Sequence, residues 1–462
     1  MRRNTTIPVT HPLMHFFRLA IISLFLTLPA TGSGAEMSSG EEARELRELM
    51  YQLKHRVEVL ERQQLKKTGP DKPTAPQQKA PVKQIIAPGN KKAPLPVSQV
   101  MQEPPVNKIN YSFGGQIVVE AVSNWPGSSA TSEFDLRPIG VPTGSGGENG
   151  QFNFSARETR LWFKTVSKTR LGLIKTLLEM DFKGSAGEER VNNSHNPRMR
   201  HGYARLGNFT IGQTESTFAN LLAWPDTIPD AIAYISNRQV MVRWTQKLDE
   251  EYSFQIALEN PETTLTNASG TRVTPSDDRF PDLAVKGLWY GKRGSSLALS
   301  GLLREIRSDG AVVGGVEDSE VGGALYFSGR LNTIDSDNVR FGLAGGNALG
   351  RYASLNSFND GSIDANGRIE LNMLYLGYIS YQYWLNDHWR LTPTATHIMS
   401  DNNLSRVPDS TVKDAQSFHL RLSWLPLVST NFSVEYAHVR SELENGLEGE
   451  QNRLHFSMLY RF

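Results

Sequence analysis

The sequence predicts an all-β fold, a 16-stranded antiparallel transmembrane β-barrel with a coiled-coil helix before it, on three observations. The last eleven residues, NRLHFSMLYRF, put Leu454, Phe456, Met458, Tyr460 and Phe462 on one face of a strand, with Arg453, His455, Ser457 and Arg461 on the other. Period two with one lipid-compatible face is what a barrel strand needs. The second observation is a long series of strand-like segments whose connections alternate between long and short. The third is an export signal at the other end of the chain.

Taken in order, Arg2, Arg3 and Arg18 precede the apolar run LAIISLFLTL at 19–28, and Ser33-Gly34-Ala35 offers a small-residue cleavage site. Residues 1–35 therefore read as a secretory signal peptide. A membrane anchor would need about 20 apolar residues, and this run is shorter. The chain has no cysteine, which excludes disulfides, thiolate metal sites and a thiol nucleophile. Its net charge of +1 is silent about partners.

Residues 36–67 form the predicted coiled-coil helix, because Ala43, Leu46, Met50, Leu53, Val57 and Leu60 recur at spacings of three and four. Self-association through this seam is the expectation, with dimer and trimer both open. Residues 68–106 hold nine prolines among Lys and Gln, a composition that stays extended and cannot bury enough apolar area to order itself. That segment reads as a spacer.

Residues 107–462 form the predicted barrel. Sixteen strands are expected at 109–122, 152–166, 172–182, 198–206, 209–213, 239–246, 252–259, 283–290, 295–304, 320–330, 339–346, 371–385, 389–399, 417–424, 431–440 and 452–462. The phase breaks at 156–159, which predicts a bulge or a misplaced boundary. Long links at 123–151, 183–197, 214–238, 260–282, 305–319, 347–370, 400–416 and 441–451 alternate with short ones such as Gly207-Asn208. Long extracellular loops alternating with short periplasmic turns are the layout of an outer-membrane barrel. Propellers and sandwiches have no reason to segregate them so. An even count puts both barrel ends on the periplasmic side, with the helix and spacer.

The terminal Phe, the segment LEMDF at 178–182, the run MRHGYARLGNFTIGQTESTF at 199–218 followed by WPDTIPD, and the helix-plus-proline arrangement resemble the DcaP-like porins of Gram-negative bacteria. Glu215 departs from the aromatic residue that family favours after Gly-Gln-Thr. The resemblance implies a homotrimeric channel in outer-membrane lipid, and a family associated with uptake of dicarboxylic acids and aromatic dicarboxylates. It also implies that the link at 214–238 folds into the lumen as a constriction, where Trp224, Pro225 and Pro229 would stiffen it.

Strand phase gives a charge reading independent of family. Lys175, Arg198, Arg200, Arg243, Lys286, Arg304, Arg330, Arg340, Arg421, Arg453 and Arg461 fall on inward faces, against Glu120, Glu179, Asp181, Glu259 and Glu435. Basic rings along a pore favour anions. The candidate pore residues are Arg198, Arg200, Arg243, Lys175, Glu179 and Asp181 on the wall, and Glu215, Asp226 and Asp230 on the inserted link. Any one of these arginines could equally pair with an acid to brace the wall.

Catalytic signatures are weak: there is no HExxH, no GxSxG after a strand, and GSGGENG at 144–150 lacks the Lys-Ser/Thr of a phosphate loop. Asp335-Ser336-Asp337-Asn338 is too short for an EF-hand. No enzyme, cofactor, metal or nucleic-acid partner is expected. The expected function is passive diffusion of small anionic solutes, most simply dicarboxylates. The alternative is an envelope anchor whose lysines, Lys66, Lys67, Lys72, Lys79, Lys83, Lys91 and Lys92, bind anionic peptidoglycan.

Overall fold

The computed structural model describes residues 109–125, 150–184, 192, 195–228, 231–275, 278–310 and 316–462. The predicted signal peptide, coiled coil and spacer lie outside these residues, as do residues 144–149, Pro229 and Asp230.

Sixteen antiparallel spans close into one barrel. The first is β1 (Ile109–Trp125), and the second is shared by β2 (Gln151–Ser155) and β3 (Arg160–Thr169), which both pair with β1. Residues 156–159 separate them, where the sequence loses its phase, and the Thr159 N–H donates to Ala156 O at 3.1 Å in a tight turn. Next come β4 (Gly172–Asp181), β5 (Arg198–Leu206), β6 (Phe209–Glu215), β7 (Arg238–Lys247) and β8 (Tyr252–Glu259). Two short strands, β9 (Leu265–Asn267) and β10 (Arg272–Val273), precede β11 (Asp282–Tyr290), β12 (Ser296–Ser308), β13 (Asp318–Asn332) and β14 (Asn338–Gly346). Then β15 (Gly361–Ile363) and β16 (Ile369–Leu371) lead to β17 (Met373–Trp384), β18 (Trp389–Asp401), β19 (Val412–Leu427), β20 (Thr430–Leu443) and β21 (Glu448–Arg461).

Closure is made by the C-terminal strand, as Gln116 pairs with Arg461 and Trp125 with Asn452. The Gly115 N–H donates to Phe462 O, and the Phe462 N–H to Gly115 O, each at 3.1 Å. A β-carbon at Gly115 would lie 2.5 Å from the Phe462 ring, so the terminal aromatic needs glycine opposite it.

Alternation explains the two wall surfaces. In β12, Leu299 and Leu303 are exposed outward while Ala298, Ser300, Leu302 and Arg304 are buried inward. Leu325, Leu343 and Ile379 continue the outer apolar band, and Trp389, Trp424 and Phe432 stack at its turn-end edge with ring centroids 5.9 and 5.4 Å apart. Among the described residues no helix is long and apolar enough to cross a membrane. Crossing is by strands.

Several boundaries shift by a few residues from expectation, as β19 runs from Val412 to Leu427 where 417–424 is expected, and two regions differ for a clear reason. The long link expected at 441–451 is a four-residue turn, because β20 runs to Leu443 and β21 begins at Glu448. The polar stretch reads as a loop, yet the ladder continues past the apolar band, with Arg440 bonded to Glu448 across it and Gly446 at φ +80° in the turn. The strand expected at 371–385 is β17, and just before it β16 leaves the wall and joins a small sheet in which β9 runs parallel to β15. That sheet buries Leu265, Ile306, Ile363 and Ile369 together.

The link at 216–237, between β6 and β7, folds into the barrel. Its Phe218, Ala219, Ile232, Ala233 and Ile235 pack with Tyr352, Ala353 and Phe358 against inward Ala284, Ala324, Ala344, Ala415 and Ala437. Small wall residues make the room. Full burial of Phe218 contributes about 1.5–3 kcal/mol relative to an exposed ring.

Candidate pore constriction

Glu259 fixes the start of this inserted link, accepting from the Thr217 N–H at 2.6 Å and the Ser216 hydroxyl at 2.7 Å. Further along, Lys286 Nζ donates to Ala219 O at 2.8 Å, Asn220 Nδ2 to Ser328 Oγ at 3.0 Å, and the Tyr378 hydroxyl to Ala223 O at 3.0 Å. These bonds carry the chain along the inner face of β11, β13 and β17 to Trp224, whose indole N–H donates to Ile235 O at 3.1 Å. The link thus folds back on itself with its tip, Pro225 to Ile228, across the lumen from its base.

The tip meets a cluster of guanidinium groups. Asp226 Oδ2 lies 2.5 Å from Arg390 Nη2, and Asp226 Oδ1 accepts from Arg421 Nη1 at 3.0 Å. Arg421 Nη1 also donates to Thr227 O at 3.3 Å, and Arg340 Nη1 donates to Trp224 O at 2.9 Å. Glu435 accepts from the Ile228 N–H at 2.8 Å and lies 2.8 Å from His419 Nδ1. Burial alone would raise the Asp226 carboxyl, but the charges of Arg421, Arg390 and Arg340, with a hydrogen bond from Gln382, hold it below its ordinary value.

Beside the tip lies a cavity of about 440 Å³, bounded by the β19–β20 turn and the seam between β21 and β1. Six cations line it, Arg160, Lys183, Arg340, Arg390, Arg421 and Arg461, against three carboxylates, Glu120, Glu158 and Asp226. The excess is three positive charges. Lys183 Nζ and Arg160 Nη2 hold Glu158 at 2.8 and 3.1 Å, so those two share one acid. Among the described lining residues, cations thus outnumber carboxylates.

The candidate residues named from sequence divide into groups. Asp226 sits at the centre of this site, and Asp230 lies outside the described residues. Arg198 Nη2 pairs with Asp181 at 2.7 Å, while Arg200 pairs with Asp181 and with Glu179, each at 3.0 Å. That wall cluster adjoins the cavity through the Lys183 N–H, which donates to Asp181 Oδ1 at 3.1 Å. Glu215 pairs with Arg238 at 2.6 Å, and Arg243 Nε donates to Thr217 Oγ1 at 2.7 Å while its Nη2 bonds Glu215 O. Those two fasten the base of the link. Lys175 is exposed near the turn before β4.

Arg390, Arg160 and Lys183 escaped the sequence reading. Arg390 shares the phase of inward Thr392, Thr394 and Thr396, so the alternation of its own strand could have found it. Arg160 follows the phase break, and Lys183 lies past the end of β4, where no period reaches.

A profile of the DcaP outer membrane protein family matches residues 90–462. Among solved structures, the outer membrane channel DcaP of Acinetobacter baumannii is similar over 77% of this chain and 97% of that one, with a TM-score of 0.66 and 20% identity. An anion-selective porin from Comamonas acidovorans aligns over 77% of this chain and 100% of its own, with a TM-score of 0.47 and 9% identity. Pseudomonas putida OprB aligns over 76% and 94%, at 0.48 and 8%. No curated protein sequence matches. A family profile spanning the whole barrel and a closed sixteen-span wall agree: the chain belongs to the DcaP outer membrane protein family and is an outer-membrane porin.

Proposed function

We propose that this porin passes small anionic solutes, dicarboxylates above all, by passive diffusion and without catalysis. The observation that carries the reading is the cavity lining, six cations against three carboxylates around the tip of the inserted link. Its cations come from well-separated parts of the wall: Arg340, Arg390 and Arg421 from β14, β18 and β19, and Arg160 and Arg461 from β3 and β21. A solute with two carboxylates can engage both groups at once, where a monoanion engages one. Guanidinium forks suit carboxylates because they donate two parallel hydrogen bonds.

In the assembly we propose, three copies stand in outer-membrane lipid with the short turns and both barrel ends on the periplasmic side, and the N-terminal segment extends into the periplasm. The test is the reversal potential of the purified protein in planar bilayers under a salt gradient, followed by addition of succinate or phthalate. Anion-selective steps modulated by the dicarboxylate are expected. Cation selectivity would overturn the anionic solute class and leave the porin.

A further inference from the structure

The acid at the centre of the basic cluster is supplied by the protein itself. Among the described residues, Asp226 is the carboxylate that contacts both Arg390, at 2.5 Å, and Arg421, at 3.0 Å, and Thr392 Oγ1 lies 3.3 Å from its Oδ2. Each arginine also has a contact other than Asp226. Arg421 Nε and Nη2 donate to Ser433 Oγ at 3.2 and 2.9 Å, Arg340 Nε donates to Asn338 Oδ1 at 3.1 Å, and the Arg390 guanidinium lies 5.2 Å from the Trp384 ring centroid. The wall therefore presents a preformed carboxylate site, and the residue filling it is carried on a link rather than a strand. The same residue borders the open cavity.

We propose that Asp226 is a tethered competitor: its carboxylate holds the anion site formed by Arg340, Arg390 and Arg421, and a solute carboxylate passes by exchanging with it. This inference rests on the anionic reading proposed above and adds which residue sets the affinity. Exchange is near-balanced, since one carboxylate replaces another on the same donors. The tether lowers the apparent affinity of the solute by the fraction of time the site is occupied from within. That keeps binding weak enough for the solute to leave, as conduction requires. A neutral solute has no charge to exchange and gains nothing from the site.

The experiment compares wild type with Asp226→Asn in single-channel recordings, using succinate and phthalate as probes. Loss of the competitor and of its repulsion should lower the half-blocking concentration at least about tenfold and lengthen each block, while the channel remains anion-selective. An unchanged or weakened block in an anion-selective Asp226→Asn channel overturns the exchange and leaves the anionic path standing. A wild type that selects cations overturns both.

A second measurement does not need that variant to fold. Because the chain has no cysteine, Thr227→Cys gives one thiol in the tip itself, next to Asp226, and its reaction with a neutral thiosulfonate can be timed with and without succinate. Exchange frees the tip, so succinate should speed the reaction several-fold. A rate that is unchanged, or that falls because the solute merely covers the thiol, overturns the proposal.

Discussion

Arg304→Met tests how the links joined at its guanidinium are held. Arg304 is fully buried, with Nε 3.0 Å from Asp282 Oδ2, Nη1 2.5 Å from Asp360 Oδ1 and 3.1 Å from Ala348 O, and Nη2 2.7 Å from Glu262 O. Its guanidinium also lies 5.3 Å from the Tyr352 ring centroid. One cation thus joins the strand β11, the segment after β8 and the link between β14 and β15. Methionine fills much of the volume but leaves two buried carboxylates facing each other without the guanidinium that bonds both. Breaking a buried pair in this way costs about 3–5 kcal/mol, far more than the pair adds when intact.

That cost falls on local opening of the loops, because the wall ladder does not pass through Arg304's side chain. At about 1.4 kcal/mol per factor of ten, the opening constant should rise by roughly two to four orders of magnitude. Hydrogen exchange over residues 347–372 measures it directly, since the Asp360 N–H donates to Thr264 O at 2.8 Å and the Tyr352 N–H to Leu349 O at 2.7 Å. The loosening should reach the pore. Ile235 forms a β-bridge with Ala353, and the Ser236 N–H donates to Tyr352 O at 3.1 Å, so open-channel noise should grow as well. Adding Asp282→Asn and Asp360→Asn removes the stranded charges and should recover much of the protection. If exchange in Arg304→Met rises less than tenfold, the ion cluster is not what fastens these links.

Three further outcomes follow from the geometry. Arg390→Ala with Arg421→Ala should move the reversal potential toward cations more than Arg200→Ala with Arg243→Ala, because Arg200 is already matched by Glu179 and Asp181; the reverse ranking in bilayer recordings would refute the placement of the site. Asp226 has a lowered folded-state value, so its hold on the tip is fully present above the unfolded carboxyl value of about 3.9 and is lost only as pH falls through the lower folded value. Open-channel noise should accordingly stay flat from neutral pH to about 4 and rise below it, and a rise centred near pH 6 would point to a different group. Gly115→Val should slow barrel closure, since a β-carbon there lies 2.5 Å from the Phe462 ring and 2.8 Å from Arg160 O; folding yield read by heat-modifiable gel mobility checks it.

The barrel was legible because one rule governs every span. Alternation in segments such as Tyr252–Glu259 fixes which side faces lipid, and the break at 156–159 marks where the second span divides. The turn at 444–447 was misread because polarity stands for loop only within the lipid band, and above it both faces of a strand are wet. The constriction was less legible for a different reason. Phase says that Arg198, Arg200, Arg340 and Arg421 point inward, but phase does not say which acid each one meets: Arg421 stands opposite Glu435 in register, yet it bonds Asp226 while Glu435 bonds His419. Asp181 stands directly opposite Arg198, which register decides and composition does not. Arg340 has Ser380 opposite on β17 and Arg330 on β13, and so remains available to the link.

The division of the lumen follows from the same chemistry. Where the inner wall carries alanines, at Ala284, Ala324, Ala344, Ala415 and Ala437, apolar residues of the inserted links fill the space and exclude water. Where it carries Arg340, Arg390, Arg421 and Arg461, desolvating the cations would cost several kcal/mol each, so that side stays open and polar. An apolar filling is rigid because its parts are close-packed, whereas the tip at Asp226 is held by hydrogen bonds that a solute carboxylate can also accept. The fixed half therefore aims the tip, and on the anionic reading proposed above the charged half sets what can pass it.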